Sequence, residues 1–146
     1  MYTAAAINAY NTVGMESNVI AADPHKLILM LFEGALLAIQ NARVKTLQND
    51  FASKGKSISH AIRIIGEGLN ASLDKNVGGK LAQDLSMLYD YMIRRLVDAN
   101  AKNDVGALDE VSRLLTELKE AWEAIKPGAP ANPANATVAK SIYAKG

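Results

Sequence analysis

The most prominent feature of the hydrophobic pattern is a helix that carries two apolar stripes. From Leu27 to Ile39 the chain reads LILMLFEGALLAI. One stripe contains Leu27, Leu31, Gly34 and Ala38, and the other contains Ile28, Phe32, Ala35 and Ile39. Because a surface helix of a globular protein needs one stripe, this helix either lies at the centre of a core or has apolar surface left for a partner.

Four helical segments follow one another in the central part of the chain. The first starts with Asp23 as N-cap and Pro24 at the first helical position, and we expect it to extend to about Thr46. The others cover roughly residues 52–73, 80–101 and 105–125. Their stripes are Ile58, Ile62, Ile65, Leu69 and Leu73, then Leu81, Leu85, Leu88, Met92, Leu96 and Ala99, and finally Leu108, Val111, Leu115, Leu118, Trp122 and Ile125. Since short turns make successive helices antiparallel neighbours, the pattern predicts an all-α, up-down-up-down four-helix bundle.

The chain divides into three parts: an N-terminal segment, residues 1–22, the bundle, residues 23–126, and a tail, residues 127–146. Ala6, Ile7, Ala9, Tyr10 and Val13 have helical spacing. We therefore expect residues 2–12 to form a short amphipathic capping helix, which is stable only when docked. The tail holds three of the four prolines and little large apolar surface, so we expect it to be disordered.

Composition narrows the class of protein. The 146 residues are 49% hydrophobic and carry a net charge of +1, and no basic block indicates nucleic acid or an anionic membrane. The purely apolar run from Leu27 to Phe32 is far shorter than the ~20 residues that span a bilayer. With no cysteine and no basic start typical of a secretory signal, we expect a cytoplasmic protein without stable membrane insertion.

Motifs for chemistry are weak. The two histidines, His25 and His60, lie in different helices, which disfavours a metal centre, and no cofactor motif is present. His60 followed by Arg63 resembles a histidine phosphotransfer motif, but Ile64 stands where a small residue is usual, and we expect it to obstruct a partner. We therefore predict that the protein is not an enzyme.

Three features favour binding of another protein. They are the doubled stripe of the first helix, a stripe of Tyr89, Ile93 and Val97 beside the core stripe of the third helix, and the N-terminal segment. That segment suits two interpretations: a weakly held lid over an apolar groove, or a permanent cap. A structural or regulatory bundle without a binding partner also remains open, as does weak self-association.

The chain closely resembles the FliS family of flagellar secretion chaperones over about residues 7–125. The resemblance rests on Ala9-Tyr10, on Asp23 to Ile28 leading into Leu31-Phe32-Glu33-Gly34-Ala35, on Leu88-Tyr89-Asp90-Tyr91-Met92, on Ala99-Asn100 with Asp104, and on Glu110-Val111, Glu117-Leu118 and Glu120-Ala121-Trp122. Each piece alone is weak, but their order and spacing are specific. Phe32 stands where a Tyr is common, and the tail is not part of the shared pattern.

The resemblance implies a function as well as a fold. It implies a four-helix bundle that binds the disordered C-terminal segment of flagellin, blocks premature polymerisation in the cytoplasm, and delivers the subunit to the flagellar export gate. It further implies that Ile7 and Tyr10 belong to an N-terminal helix that caps a hydrophobic groove. We expect the partner-binding residues to be Ile7, Tyr10, Leu31, Tyr89, Ile93 and Trp122.

Overall fold

The computed structural model describes residues 23–125 and places four α-helices there. They are α1 (Pro24–Leu47), α2 (Phe51–Arg63), α3 (Gly79–Lys102) and α4 (Val105–Ala124), and a π-helical segment (Ile64–Asn70) continues α2. No strand occurs among these residues, so the predicted all-α helical bundle is confirmed. The expected capping helix and the tail lie outside the described residues.

Three aspartates start helices in the same way. The carboxylates of Asp23, Asp50 and Asp104 accept hydrogen bonds from the backbone N–H groups three residues further on, at 3.1, 3.2 and 3.2 Å. Such caps satisfy donors that a helix start leaves open. The turns before α2 and α4 contain Asn49 and Asn103, which adopt left-handed φ angles of 58° and 53°. Short polar turns thus separate α1 from α2 and α3 from α4.

Each helix packs against two neighbours. α1 contacts α2 and its π-helical continuation on one side and α4 on the other, while α3 contacts α4 and the π-helical segment. His25 meets Trp122 at one end of α1, and Arg43 meets Asp109 towards its other end. These two contacts show that α1 and α4 run antiparallel.

Both apolar stripes of α1 are buried in the core. Leu27, Ile28, Leu31 and Ala35 are completely inaccessible, and the other members of the two stripes are almost so. By length and composition α1 is the one described helix that resembles a membrane span, but half of that apolar stretch is buried inside the bundle. Burial of α1 against α2 on one side and α4 on the other therefore explains the doubled stripe.

The inner face of α3 differs from the prediction. Leu81 is 46% exposed, and Leu85 and Leu88 are only partly buried, whereas Tyr89 is 1% exposed. Buried positions on this helix are Ala82, Ser86, Tyr89, Met92, Leu96 and Ala99. The first half of the predicted stripe is wrong, because Ala82 and Ser86 face inward there instead of the leucines. Their small side chains let α3 lie close to the core, and Tyr89 occupies the neighbouring buried position.

The second predicted helix changes its winding near two glycines. The N–H of Ala71 donates to the carbonyl oxygen of Gly66 at 3.1 Å, five residues earlier, which is the π-helical pattern. The Ser72 hydroxyl donates to the Gly68 carbonyl oxygen at 2.6 Å. The apolar spacing of this region continues through the wider turn, with Ile64, Ile65 and Leu69 all buried.

Candidate functional site

An apolar strip lies along the junction of α3 and α4, and we call it the α3–α4 seam. It consists of Leu81, Leu85 and Leu88 of α3 and Leu114 and Leu118 of α4. Leu81 is 46% exposed, and the other four are partly buried against the core. Their spacing of three and four residues keeps them on one side of each helix. The seam is therefore an elongated apolar surface that solvent, or a partner, can reach.

A polar cluster closes one end of the α3–α4 seam. The Tyr91 hydroxyl donates to Glu110 Oε2, and Arg95 Nε donates to Glu110 Oε1 at 2.7 Å. Arg95 also lies 3.7 Å from a carboxylate oxygen of Asp98. These contacts join α3 to α4 beside the seam.

The charge state of this cluster follows from its hydrogen bonds. The bonds from Tyr91 and Arg95 lower the pKa of Glu110 below its ordinary value, because they stabilise the carboxylate. The same bond to Glu110 raises the pKa of Tyr91, since it favours the protonated phenol. At neutral pH the cluster therefore contains an ionised glutamate, a neutral tyrosine and a cationic arginine.

A reciprocal contact fixes the other end of α4. Trp122 Nε1 donates to the His25 carbonyl oxygen at 2.9 Å, and His25 Nε2 donates to the Trp122 carbonyl oxygen at 2.8 Å. The rings stack with centroids 4.8 Å apart and an interplanar angle of 14°. Residues 1–22 and 126–146 join the bundle at this end, because α1 starts and α4 finishes here.

A second strip follows the junction of α2 and α3. This α2–α3 seam consists of Ile62 and Ile93, which are partly buried, and Val97, which is 53% exposed. A Cβ on Gly66 would lie 3.4 Å from Ile93 Cδ1, which is an ordinary van der Waals contact, so Ile93 packs over the backbone of the π-helical segment. α3 thus has accessible apolar residues along both of its edges.

The four predicted partner-binding residues that the structure describes do not form one surface. Leu31 and Tyr89 lie in the core at 0% and 1% exposure, and Trp122 is 7% exposed in its contact with His25. Ile93 lies in the α2–α3 seam. Ile7 and Tyr10 lie outside the described residues. Leu81, Leu85, Leu88 and Leu118 of the α3–α4 seam were predicted as core, and their spacing gave no signal that they face outward, whereas Leu114 was not part of a predicted stripe.

The described residues offer little for a phosphotransfer or metal site. Residues 23–125 contain no group of three or more His, Cys, Asp or Glu side chains placed to hold a metal ion. Arg63, the cation of the suspected phosphotransfer motif, donates to Glu67 at 2.9 Å. Ile64 is fully buried, so the expectation that it obstructs a partner is wrong, because its side chain points into the core.

The fold defines a helical bundle with partly buried apolar residues along its helix junctions, and comparison with known proteins shows which family of helical bundles it matches. Residues 6–129 match the family described as Flagellar protein FliS. The chain is 52% identical to the flagellar secretion chaperone FliS of Salmonella typhimurium. This similarity extends over 129 residues, which are 88% of this chain and 96% of that protein.

Two further relatives support the same assignment. The flagellar secretion chaperone FliSB of Pseudomonas aeruginosa is 46% identical over 125 residues, covering 86% of this chain and 98% of its own length. The Bacillus subtilis chaperone FliS is 38% identical over 112 residues, or 77% of this chain and 82% of that protein. The chain therefore belongs to the FliS family of flagellar secretion chaperones, which confirms the resemblance.

Proposed function

We propose that this protein is a cytoplasmic export chaperone whose client is the C-terminal segment of flagellin. It covers that segment, prevents premature filament polymerisation and assists delivery to the flagellar type III export apparatus. Membership of the FliS family supports the chaperone role. The single structural observation that supports binding of an apolar segment is the α3–α4 seam.

The α3–α4 seam suits an amphipathic helix. Recognition of such a helix in a groove uses apolar anchors spaced by three, four and seven residues. Leu81, Leu85 and Leu88 repeat at this spacing and extend over about 10 Å of α3. An amphipathic client segment laid along the seam therefore meets apolar side chains at each of its turns.

The energetics favour a long contact. A disordered segment that folds on binding loses about 2–5 kcal/mol of its interaction energy to ordering. Burying one large aliphatic side chain fully gains about 1.5–3 kcal/mol, and the leucines of the seam are already partly buried. Several anchors are needed, so we propose that the client also uses Ile93 and Val97 in the α2–α3 seam.

The remaining predicted residues take less direct roles in this proposal. Leu31, Tyr89 and Trp122 lie beneath the surface, and they would touch the client only if the helices moved apart. Ile7 and Tyr10 would occupy the α3–α4 seam when no client is bound. From Tyr10 to Asp23 an extended chain reaches roughly 45 Å, which exceeds the ~36 Å length of a 24-residue helix such as α3.

A pair of charge substitutions on α3 tests the site. Leu81→Glu places a carboxylate in the seam, and Met87→Glu places one on another side of the same helix, where Met87 is 68% exposed. Both positions are accessible enough to keep the bundle folded. We expect Leu81→Glu to weaken binding of the flagellin C-terminal segment at least tenfold, because it places a charge against the apolar side of the client, and Met87→Glu to leave it unchanged. Equal affinities for the two variants would refute the seam as the binding site.

A further inference from the structure

The last part of the chain contains a short apolar segment outside the helical bundle. Residues 138–143 read VAKSIY. Val138 and Ile142 are four residues apart, and Ala139 and Tyr143 repeat this interval, so in a helical conformation all four share one side. A segment of this length is not a stable helix by itself. It therefore needs a surface on which to dock.

The charge of this part of the chain narrows the choice of surface. Residues 126–146 contain Lys126, Lys140 and Lys145 and no Asp or Glu, so their side chains contribute a charge of +3. The FliS family match ends at residue 129, and the segment lies beyond it. A matching surface is apolar with an acidic edge.

The α3–α4 seam has such an edge where α4 ends. Glu117 and Glu120 are exposed on α4 next to Leu118, and we call these two carboxylates the acidic rim. Neither has an ion-pair partner among residues 23–125. The C-terminal end of a helix also carries negative dipole charge. Both terms attract a cationic segment.

The other charges at this end of the seam balance one another. Lys80 Nζ lies 3.2 Å from an Asp84 carboxylate oxygen, and Lys119 Nζ lies 3.4 Å from one of Glu123. Residues 79–88 of α3 therefore contribute no net charge. The acidic rim leaves this end of the bundle with a net charge of −2.

We propose that residues 138–143 of this same chain dock on the α3–α4 seam beside the acidic rim and compete with the client there. Ile142 and Tyr143 then cover the exposed leucines, while Lys140 and Lys145 lie near the carboxylates of the rim. The docking itself involves no client, whereas the competition rests on the proposed function.

The connection between α4 and the segment is long enough for this contact. Val138 follows Ile125 by 13 residues, which reach roughly 45 Å when extended. The leucines of α3 in the seam, from Leu81 to Leu88, extend over only about 10 Å. A tether of this length gives an effective concentration in the millimolar range. A contact with a submillimolar Kd therefore keeps the seam mostly occupied.

The proposed N-terminal cap can share the seam with this segment. Residues 1–22 contain Glu16 and no Lys or Arg, so the acidic rim attracts the lysine-bearing segment and not the cap. Ile7 and Tyr10 then use the opposite end of the seam, next to Tyr91. A client that lies along the whole seam displaces both.

Introduced cysteines test the docking, because the natural chain contains none. Ala139→Cys changes a small residue and keeps the larger apolar side chains of the segment. Under mild oxidation the double variant Leu81→Cys/Ala139→Cys should form a disulfide within one chain, since a disulfide needs Cα atoms within about 7 Å. Its rate should not depend on protein concentration.

Met87→Cys/Ala139→Cys is the matched control, because Met87 is 68% exposed on another side of α3 and lies within reach of the same tether. We expect the Leu81 pair to link about tenfold faster, since docking adds to the effective concentration of the tether. Adding Ile142→Asp to the Leu81 pair should lower its rate to that of the control.

The acidic rim has its own control. Glu117→Gln with Glu120→Gln should slow the linking of the Leu81 pair, whereas Glu33→Gln, at an exposed position of α1, should not. Equal rates for the Leu81 and Met87 pairs would overturn the docking. So would a rate that Ile142→Asp leaves unchanged, or linking that occurs only between chains.

Calorimetric titration with the flagellin C-terminal segment tests the competition separately. Ile142→Asp in the natural chain should bind the flagellin segment about threefold more tightly, because an occupied seam lowers the apparent affinity by its free fraction. An unchanged affinity would overturn the competition. Absence of binding by both proteins would overturn the proposed function and the competition with it, while the linking rates decide the docking independently.

Discussion

Trp122 and His25 each donate a side-chain hydrogen bond to the backbone carbonyl oxygen of the other, and their rings stack. They are 97 positions apart in the sequence. The contact therefore joins the start of α1 to the last turn of α4. It also gives the Trp122 carbonyl oxygen a second donor beside the Ile125 backbone N–H, which donates to it at 3.1 Å.

Substitution of Trp122 by phenylalanine should lower the free energy of unfolding by about 1–3 kcal/mol, because the His25 carbonyl loses its indole donor while an aromatic ring remains. Urea denaturation followed by circular dichroism measures this, since the variant lacks the protein's single tryptophan. Glu120→Gln, at an exposed position of the same helix, is the control. An unchanged stability in Trp122→Phe would show that the hydrogen bond contributes nothing.

Lys54 is a buried cation that holds α2 to the end of α3. It is 4% exposed, and its Nζ donates to the Asn100 carbonyl oxygen at 2.8 Å and to Asn103 Oδ1 at 2.6 Å. Lys54→Met should destabilise the bundle by about 1–3 kcal/mol, because both acceptors lose their donor. The matched change at exposed Lys56 should stay within about 0.5 kcal/mol. Similar losses in the two variants would contradict this role for Lys54.

The Tyr91–Glu110–Arg95 cluster should make stability depend on pH in acid. The pKa of Glu110 is lowered in the folded chain, so its stabilisation is complete above the ordinary value of 4.5 and is lost as pH falls through the lowered value. Unfolding midpoints measured between neutral and acidic pH should therefore fall less steeply for Glu110→Gln than for the natural chain. Glu117→Gln, exposed on the same helix, should keep the natural slope, and an unchanged slope in Glu110→Gln would count against the assignment.

Asn49 should tolerate glycine better than alanine. Its φ of 58° lies in the left-handed region, where a side chain of ordinary type costs roughly 1–2 kcal/mol and glycine costs little. Thermal unfolding should place Asn49→Gly near the natural chain and Asn49→Ala several degrees below it. Equal midpoints would mean that the turn before α2 relaxes to another conformation.

Substitution of Tyr10, which lies outside the described residues, tests the proposed cap. Tyr10→Ala should change the affinity for the flagellin segment while the helical circular dichroism signal stays constant, because residues 23–125 build the bundle core. Loss of the whole helical signal would show that Tyr10 is required for folding rather than for control of the seam. An unchanged affinity would refute a competing cap.

Much of the helical framework is predictable because its signals are local. Asp23 with Pro24, and Asn103 with Asp104, mark helix starts by chemistry that acts within three residues. The inner side of α3 is not predictable in this way. Leucines at 81, 85 and 88 and small residues at 82 and 86 fit helical spacing equally well, and only packing against α2 and α4 selects the second set.

The contacts around the candidate site are harder to predict because they join distant parts of the chain. Lys54 reads as an ordinary surface residue of an amphipathic helix until α3 is placed beside it. Glu110 likewise acquires its partners only when α3 packs on α4. The family is recognisable from ordered short motifs, but those motifs do not reveal which of their side chains face outward.

Calorimetric titration of this protein with the C-terminal segment of flagellin, with helicity followed by circular dichroism, tests the central claim most directly. The chaperone account predicts saturable 1:1 binding, a gain of helix and a negative heat-capacity change from burial of apolar surface. Absence of binding at high micromolar concentration, with the bundle folded, would contradict it.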